Sequence, residues 1–181
     1  MILYLKETNK PYIMSIDVEY DRDKLLQVGA IIMQRIDNEL YQTCRSFNVY
    51  LKHDTVSQFV QDYTNITNEF LYEYGVSFAE AHESWKDFVN GINVDDMLVL
   101  SHGIHQDSII LKENGFSIDE YEHWCTYNMS KWVMERDTHL TLSDLLKEFG
   151  IIPVGEHNAY ADSLNTLLLF SVLLKLDSEE K

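Results

Sequence analysis

Tyr12 to Val18, Leu25 to Arg35 and Tyr41 to Leu51 read as strands, the middle one a nearly continuous apolar run and the others interspersed with polar positions. Asp37-Asn38-Glu39 supplies a polar turn between the last two, so the first third of the chain predicts a three-stranded antiparallel meander. From Val56 the period becomes helical. Phe78, Ala81, Trp85, Phe88 and Val89 share one face, and Gly91 follows as a stop signal. Met97 to Ser101 is a short apolar run of the kind a central parallel strand shows, followed by a helix from about Gln106 to Asn114 that Gly115 ends. A further short strand is expected near Cys125 to Met129. Leu142, Leu145, Leu146 and Phe149 form a stripe closed by Gly150, and Ala159 to Leu176 is apolar enough to require burial. Strands that first meander and then alternate with helices predict an α/β fold. Its sheet would be mixed and five-stranded, the antiparallel meander plus parallel strands, flanked by helices.

Composition narrows the class. With 7 Gly and 2 Pro there is no linker-like stretch and no repeat, so residues 1–181 are expected to form a single domain with its core at about 12–176. A hydrophobic fraction of 45% excludes a disordered acidic tail. The net charge of −16 excludes a protein that coats nucleic acid through a broad basic face, because phosphate neutralisation supplies most of such binding. It leaves open an enzyme that grips phosphates through metal ions. Cys44 and Cys125 lie far apart without CxxC spacing, which removes a disulfide framework and a thiolate zinc site. No apolar run is read as reaching transmembrane length, and Ile2-Leu3-Tyr4-Leu5 is cut short by Lys6 and Glu7 before it makes a signal-peptide core. The expectation is a soluble cytoplasmic protein without a membrane partner.

Four places carry candidate chemistry. On the first strand Ser15, Asp17 and Glu19 share a face, so two carboxylates project together. Such a pair is tolerated when solvated at an edge, when it shares a proton, or when it binds a cation. Asp107 follows the Met97 to Ser101 strand at a helix start, where a macrodipole-favoured aspartate is the plain alternative. Asp162 lies in an apolar helix, and burial of a lone carboxylate favours a metal or cationic partner. His157, five residues earlier in Glu156-His157-Asn158-Ala159-Tyr160-Ala161-Asp162, is either a solvated or capping histidine or a proton acceptor. Neither HExxH nor a Walker-type loop occurs, which removes zincin and P-loop chemistry.

Taken together and in order, Asp17-Val18-Glu19, Asp107, and His157 with Asp162 resemble the three motifs of the DEDDh, or DnaQ-like, 3′-to-5′ exonucleases, whose fold is RNase H-like. The resemblance runs from about Tyr12 to Leu174. Gln27-Val28-Gly29-Ala30-Ile31 is similar to the family's second strand, and His157-x-Ala159-x-x-Asp162-Ser163-x-Asn165-Thr166 to its third motif. The chain departs from the pattern at Gly103 and Gln106 in the middle motif and at Tyr20 after Glu19. The His102-Gly103 pairing and Asn165-Thr166 resemble the branch of KapD and the Eri-type exoribonucleases. The resemblance implies that Asp17, Glu19, Asp107 and Asp162 hold two Mg²⁺ or Mn²⁺ ions and that His157 activates water. It implies Tyr20 and Ile66 as contacts of the terminal nucleotide. The implied partner is single-stranded or 3′-end RNA or DNA, with a polymerase or a second copy of the chain as a possible companion. A regulatory protein-binding module on the same fold and an RNase H-like endonuclease are the alternatives.

Overall fold

The computed structural model describes residues 1–5, 8–136, 140–155 and 157–179; Lys6, Glu7 and Glu156 of the sequence reading lie outside the described residues. The elements in chain order are β1 (Ile2–Tyr4), β2 (Tyr12–Asp21), β3 (Lys24–Arg35), β4 (Leu40–Tyr50), α1 (Gln58–Thr64), α2 (Asn68–Tyr74) and α3 (Phe78–Val89). They continue as β5 (Met97–Ser101), α4 (Ile104–Glu113), β6 (Glu122–Cys125), α5 (Thr126–Val133), α6 (Leu142–Glu148) and α7 (Ala159–Glu179).

The sheet order is β1-β4-β3-β2-β5-β6. From β2 the antiparallel meander β3, β4, β1 builds outward on one side, and β5 and β6 pair in parallel on the other. β2 is therefore the switch point of the topology, the place where open α/β sheets present a crevice beyond their strand ends. The fold is the expected mixed α/β architecture, with one strand more. The opening Ile2–Tyr4 run pairs antiparallel with Leu40–Gln42 at the sheet edge, too short a strand for its alternation to be read. The expected strand at Cys125 to Met129 is also corrected. The strand is Glu122–Cys125, and α5 begins at Thr126. An edge strand buries little, and here Trp124 alone turns its ring onto Phe170, so no apolar run marks it.

Both faces of the sheet are covered. Met14, Ile16 and Val18 of β2 pack with Trp85 and Phe88 of α3 and with Ile110 and Leu111 of α4. On the opposite face Ile13, Ile31, Leu98 and Leu100 pack against Leu167, Phe170 and Leu174 of α7. Contrary to the sequence expectation, α7 is long and apolar enough to cross a membrane by length and composition. In the fold its apolar surface is divided between the sheet and α6, with Leu169 and Leu173 packed on Leu145 and Leu146. Packing against two neighbours calls for apolar residues around more of the helix than a single stripe.

Candidate active site

The site forms where β2 outruns β5. The last parallel pair is Ser15 with Leu100, so Asp17 and Glu19 extend past the carboxyl end of β5 on the face turned toward α7. α7 brings Asp162 to them in its first turn. Oxygens of Asp17, Glu19 and Asp162 lie within 4.8 Å of one another. Asp107 completes the acidic set from the first turn of α4 and is buried, 8% exposed. Ser101, the last residue of β5, donates its hydroxyl to Asp107 and accepts the Gly103 N–H at 3.1 Å, so strand end, turn and carboxylate are tied together.

The start of α7 is held against the sheet by a set of specific contacts. A Cβ at Gly29 would lie 2.1 Å from the Tyr160 nitrogen, so only glycine admits this approach. Ser163 donates its hydroxyl to the Gly29 carbonyl at 2.6 Å. Gln27, buried in β3, accepts the Ala159 N–H at 3.1 Å. Asn158 caps the helix by accepting the Ala161 N–H at 3.1 Å and donates to the Tyr50 hydroxyl at 2.9 Å. Asn165, fully buried, donates to Asp162 at 3.2 Å while accepting the Val154 N–H at 2.9 Å.

The electrostatics follow from crowding like charges in a place with little water. Burial and then the Asp162 and Asp107 charges push Glu19 up to about 7. Burial pushes Asp107 up to about 7 against the opposing Ser101 hydrogen bond. Asp17 lies well above the ordinary carboxylate range, through burial first and then the charges of Asp107, Asp162 and Glu19. Burial raises Asp162 also, opposed by Asn165 and by the backbone at Asn158 and His157. Four carboxylates in this arrangement carry unfavourable repulsion that a divalent cation relieves, and an all-oxygen donor set suits a hard ion. The residues fit a divalent metal centre on their own geometry.

His157 shares a cleft of about 690 Å³ with Asp17, Asp107 and Asp162. Its backbone is left-handed, φ +57°, just before the Asn158 cap. Tyr63 of α1, His102, Tyr127 and the stretch Leu140 to Asp144 with Lys147 form the other walls. The structure thus brings together Asp17, Glu19, Asp107, Asp162 and His157. Tyr20 is half-buried against the core on the α3 and α4 face, its hydroxyl raised by burial and by the Asp107, Asp17 and Glu19 charges. Ile66 is 3% exposed and packs with Leu26, Val56 and Leu71 instead of lining the cleft. The resemblance implied Ile66 as a nucleotide contact, but it anchors the turn after α1 in the core. Sequence reasoning missed Tyr63 and Lys147, for which it offered no signal, and Gly29 as a docking point, for which a glycine inside a strand was the available one.

The profile of the exonuclease family of RNase T type matches residues 12–170, a span that holds all five acid and base positions. The chain belongs to the exonuclease family. No curated protein sequence matches it. Among solved structures, cell-death related nuclease 4 (CRN-4) is similar with a TM-score of 0.74 at 15% identity, over 92% of this chain and 64% of that one. The nuclease domain of 3'hExo, a DEDDh family member bound to rAMP, has a TM-score of 0.69 at 15% identity, over 93% of this chain and 94% of that one. E. coli exonuclease I in complex with a dA16 oligonucleotide has a TM-score of 0.65 at 16% identity, over 92% of this chain and 41% of that one. The exonuclease family chain thus spans under two thirds of CRN-4 and of exonuclease I, but almost the whole 3'hExo domain. At these identities the likeness is one of fold.

Proposed function

We propose that the protein is a metal-dependent 3′-to-5′ exonuclease of the DEDDh type, which releases nucleoside 5′-monophosphates from nucleic-acid 3′ ends. The observation that carries this reading is the meeting of Asp17, Glu19 and Asp162 within 4.8 Å, with Asp107 and His157 in the same cleft. Asp17, Glu19 and Asp162 would hold a divalent ion and Asp107 would support a second, with the all-oxygen donors suited to Mg²⁺ or Mn²⁺. When bound, two such ions stabilise the attacking and leaving oxygens of an in-line displacement. His157 accepts the proton of the attacking water as general base. Ser101 and Asn165 keep Asp107 and Asp162 in place through their hydrogen bonds. Phe59, 76% exposed next to Tyr63 on α1, offers a face on which an unpaired base can stack without sequence preference. The similar structures bound to rAMP and to a DNA oligonucleotide support a nucleic-acid substrate of either sugar type.

The test uses 5′-labelled single-stranded RNA and DNA oligonucleotides with the purified protein and Mn²⁺ or Mg²⁺. A ladder shortening one nucleotide at a time, with nucleoside 5′-monophosphate as product, is expected. Internal fragments appearing first, or undiminished cleavage in excess EDTA, would sink the reading.

A further inference from the structure

A histidine that moves a proton usually has its ring set by a hydrogen bond to one imidazole nitrogen. Among the described residues no hydrogen bond reaches either ring nitrogen of His157. The ring instead lies on Tyr63, with centroids 3.8 Å apart and planes 36° from parallel. The backbone beneath it is fixed. The left-handed φ of +57° turns the chain directly into the Asn158 cap, and Asn158 is tied to both α7 and Tyr50. What the backbone leaves undetermined is the torsion of the side chain, and the Tyr63 face is a surface on which the ring rests.

Tyr63 is itself held to the strand that carries the carboxylates. Its helix, α1, is capped by Ser57, whose N–H and hydroxyl both donate to Asp21, at 2.6 and 3.1 Å. Asp21 is the last residue of β2, four positions after Asp17. At the other end of α1 the turn is locked by buried Ile66. The acidic set and the imidazole therefore take their relative positions from one strand, by way of Asp21, α1 and the Tyr63 ring. Tyr63 is 52% exposed, so the core does not need it there.

We propose that Tyr63 is a positioning residue for His157, its ring stack taking the part that a hydrogen-bonded partner plays for other catalytic histidines. The inference rests on the reading of His157 as general base. Because Tyr63 acts through another residue, its removal should lower turnover and leave the KM for substrate nearly unchanged. A displacement of a reacting group by about 1 Å can cost on the order of 10²-fold, so Tyr63→Ala is expected to lower kcat by roughly 10- to 100-fold. Tyr63→Phe keeps the ring and should restore most of the rate.

The deciding experiment places Tyr63→Ala in the wild-type chain and in His157→Ala, and measures kcat and KM on a single-stranded oligonucleotide with Mn²⁺. Residues that act through one another are non-additive. The expected result is a large loss in the first background and no further loss in the second. The same fold-loss in both backgrounds, or a loss confined to KM, would overturn the inference and make Tyr63 a substrate contact. The stack is read separately by NMR of the metal-free protein. The His157 ring protons should be shifted upfield by the Tyr63 ring current and move downfield in Tyr63→Ala; unmoved signals would overturn the inference too. A wild-type protein without nuclease activity would instead bring down the exonuclease reading itself, a failure visible before any variant is made.

Discussion

Gly29 stands directly opposite Asp17 in the β2 and β3 ladder, and it is the point at which α7 comes down onto the sheet. The pairing links fold to chemistry. The absent side chain at Gly29 lets the start of α7 approach, and that approach carries Asp162 to Asp17 and Glu19. A Cβ at Gly29 would meet backbone atoms of Ala159 and Tyr160 at 2.1 to 2.5 Å, and backbone cannot rotate out of the way.

Gly29→Ala should therefore destabilise the protein by about 1–3 kcal/mol, the usual cost of overpacking, and lower its metal-dependent rate by more than the unfolded fraction explains. Gly103→Ala is the control. A Cβ there meets nothing within 4 Å and φ is −134°, so stability should hold. Equal denaturation midpoints for the two variants would show that α7 does not sit as described.

The raised carboxylates make stability depend on pH with a definite sign. Glu19 and Asp107 stand at about 7, and Asp17 and Asp162 are also raised, whereas unfolded carboxyls titrate near 4. Between about pH 4 and 7 the metal-free folded chain holds protons that the unfolded chain has released. The contribution of this cluster to stability therefore falls as pH rises through that window. Exposed pairs such as Lys112 with Asp119 titrate in the opposite sense, so the cluster is isolated by comparison with Asp17→Asn. In EDTA at pH 7 this variant should melt higher than wild type, because a repelled charge is gone. Added Mg²⁺ should raise the wild-type melting temperature and leave the variant nearly unmoved. Parallel pH profiles for the two proteins would contradict the cluster's role.

How much of this was legible in the sequence depends on the kind of signal. The β2 to β4 meander, the apolar β5 run and the α7 segment were readable because burial on one or both faces leaves a period or an apolar run. Asp17, Glu19, Asp107, His157 and Asp162 were readable as a set only because their order resembles the motifs of an exonuclease family; singly, each had an ordinary explanation. β1 was not readable and β6 was expected a few residues too late in the chain, since edge strands bury few side chains. Ile66, named only through the family resemblance, is buried instead, because a resemblance between short segments does not say which side of a turn faces the core. The stack of Tyr63 on His157 joins residues 94 positions apart, and no local pattern encodes it.

Ser101 tests whether Asp107 needs its hydroxyl donor. Removal of an outer partner of a ligating group commonly costs about 10- to 100-fold in metal affinity or activity. Ser101→Ala should weaken Mn²⁺ activation in that range, and excess Mn²⁺ should recover the rate. If the variant loses rate at saturating metal with unchanged metal affinity, the Ser101 to Asp107 bond serves something other than metal binding.

His157 and Asp162 should fail in different ways although both line one cleft. General-base catalysis typically contributes about 10²- to 10⁴-fold, so His157→Ala should lower kcat by that order with metal affinity intact. Asp162→Asn should instead lose Mn²⁺ binding, measured by calorimetry. If His157→Ala weakens Mn²⁺ as severely and excess metal restores its rate, the histidine is a ligand and the base lies elsewhere.

The last prediction concerns how a chain of net charge −16 engages a polyanion. Lys147 of α6 lines the same cleft as Asp17, Asp107 and Asp162. Binding that relies on metal ions and few cationic side chains displaces few counterions, so affinity for single strands should fall only gently with salt. Each phosphate contact contributes a slope of about 0.7 in log affinity against log salt for a single strand. Lys147→Ala should reduce the slope by roughly that amount and weaken RNA and DNA of any sequence alike, since a phosphate contact carries no base information. The measurement is made with Asp17→Asn as background, which prevents cleavage during titration, and in Ca²⁺ at fixed concentration. A steep slope that Lys147→Ala leaves untouched would place the main electrostatic contacts on another face of the molecule.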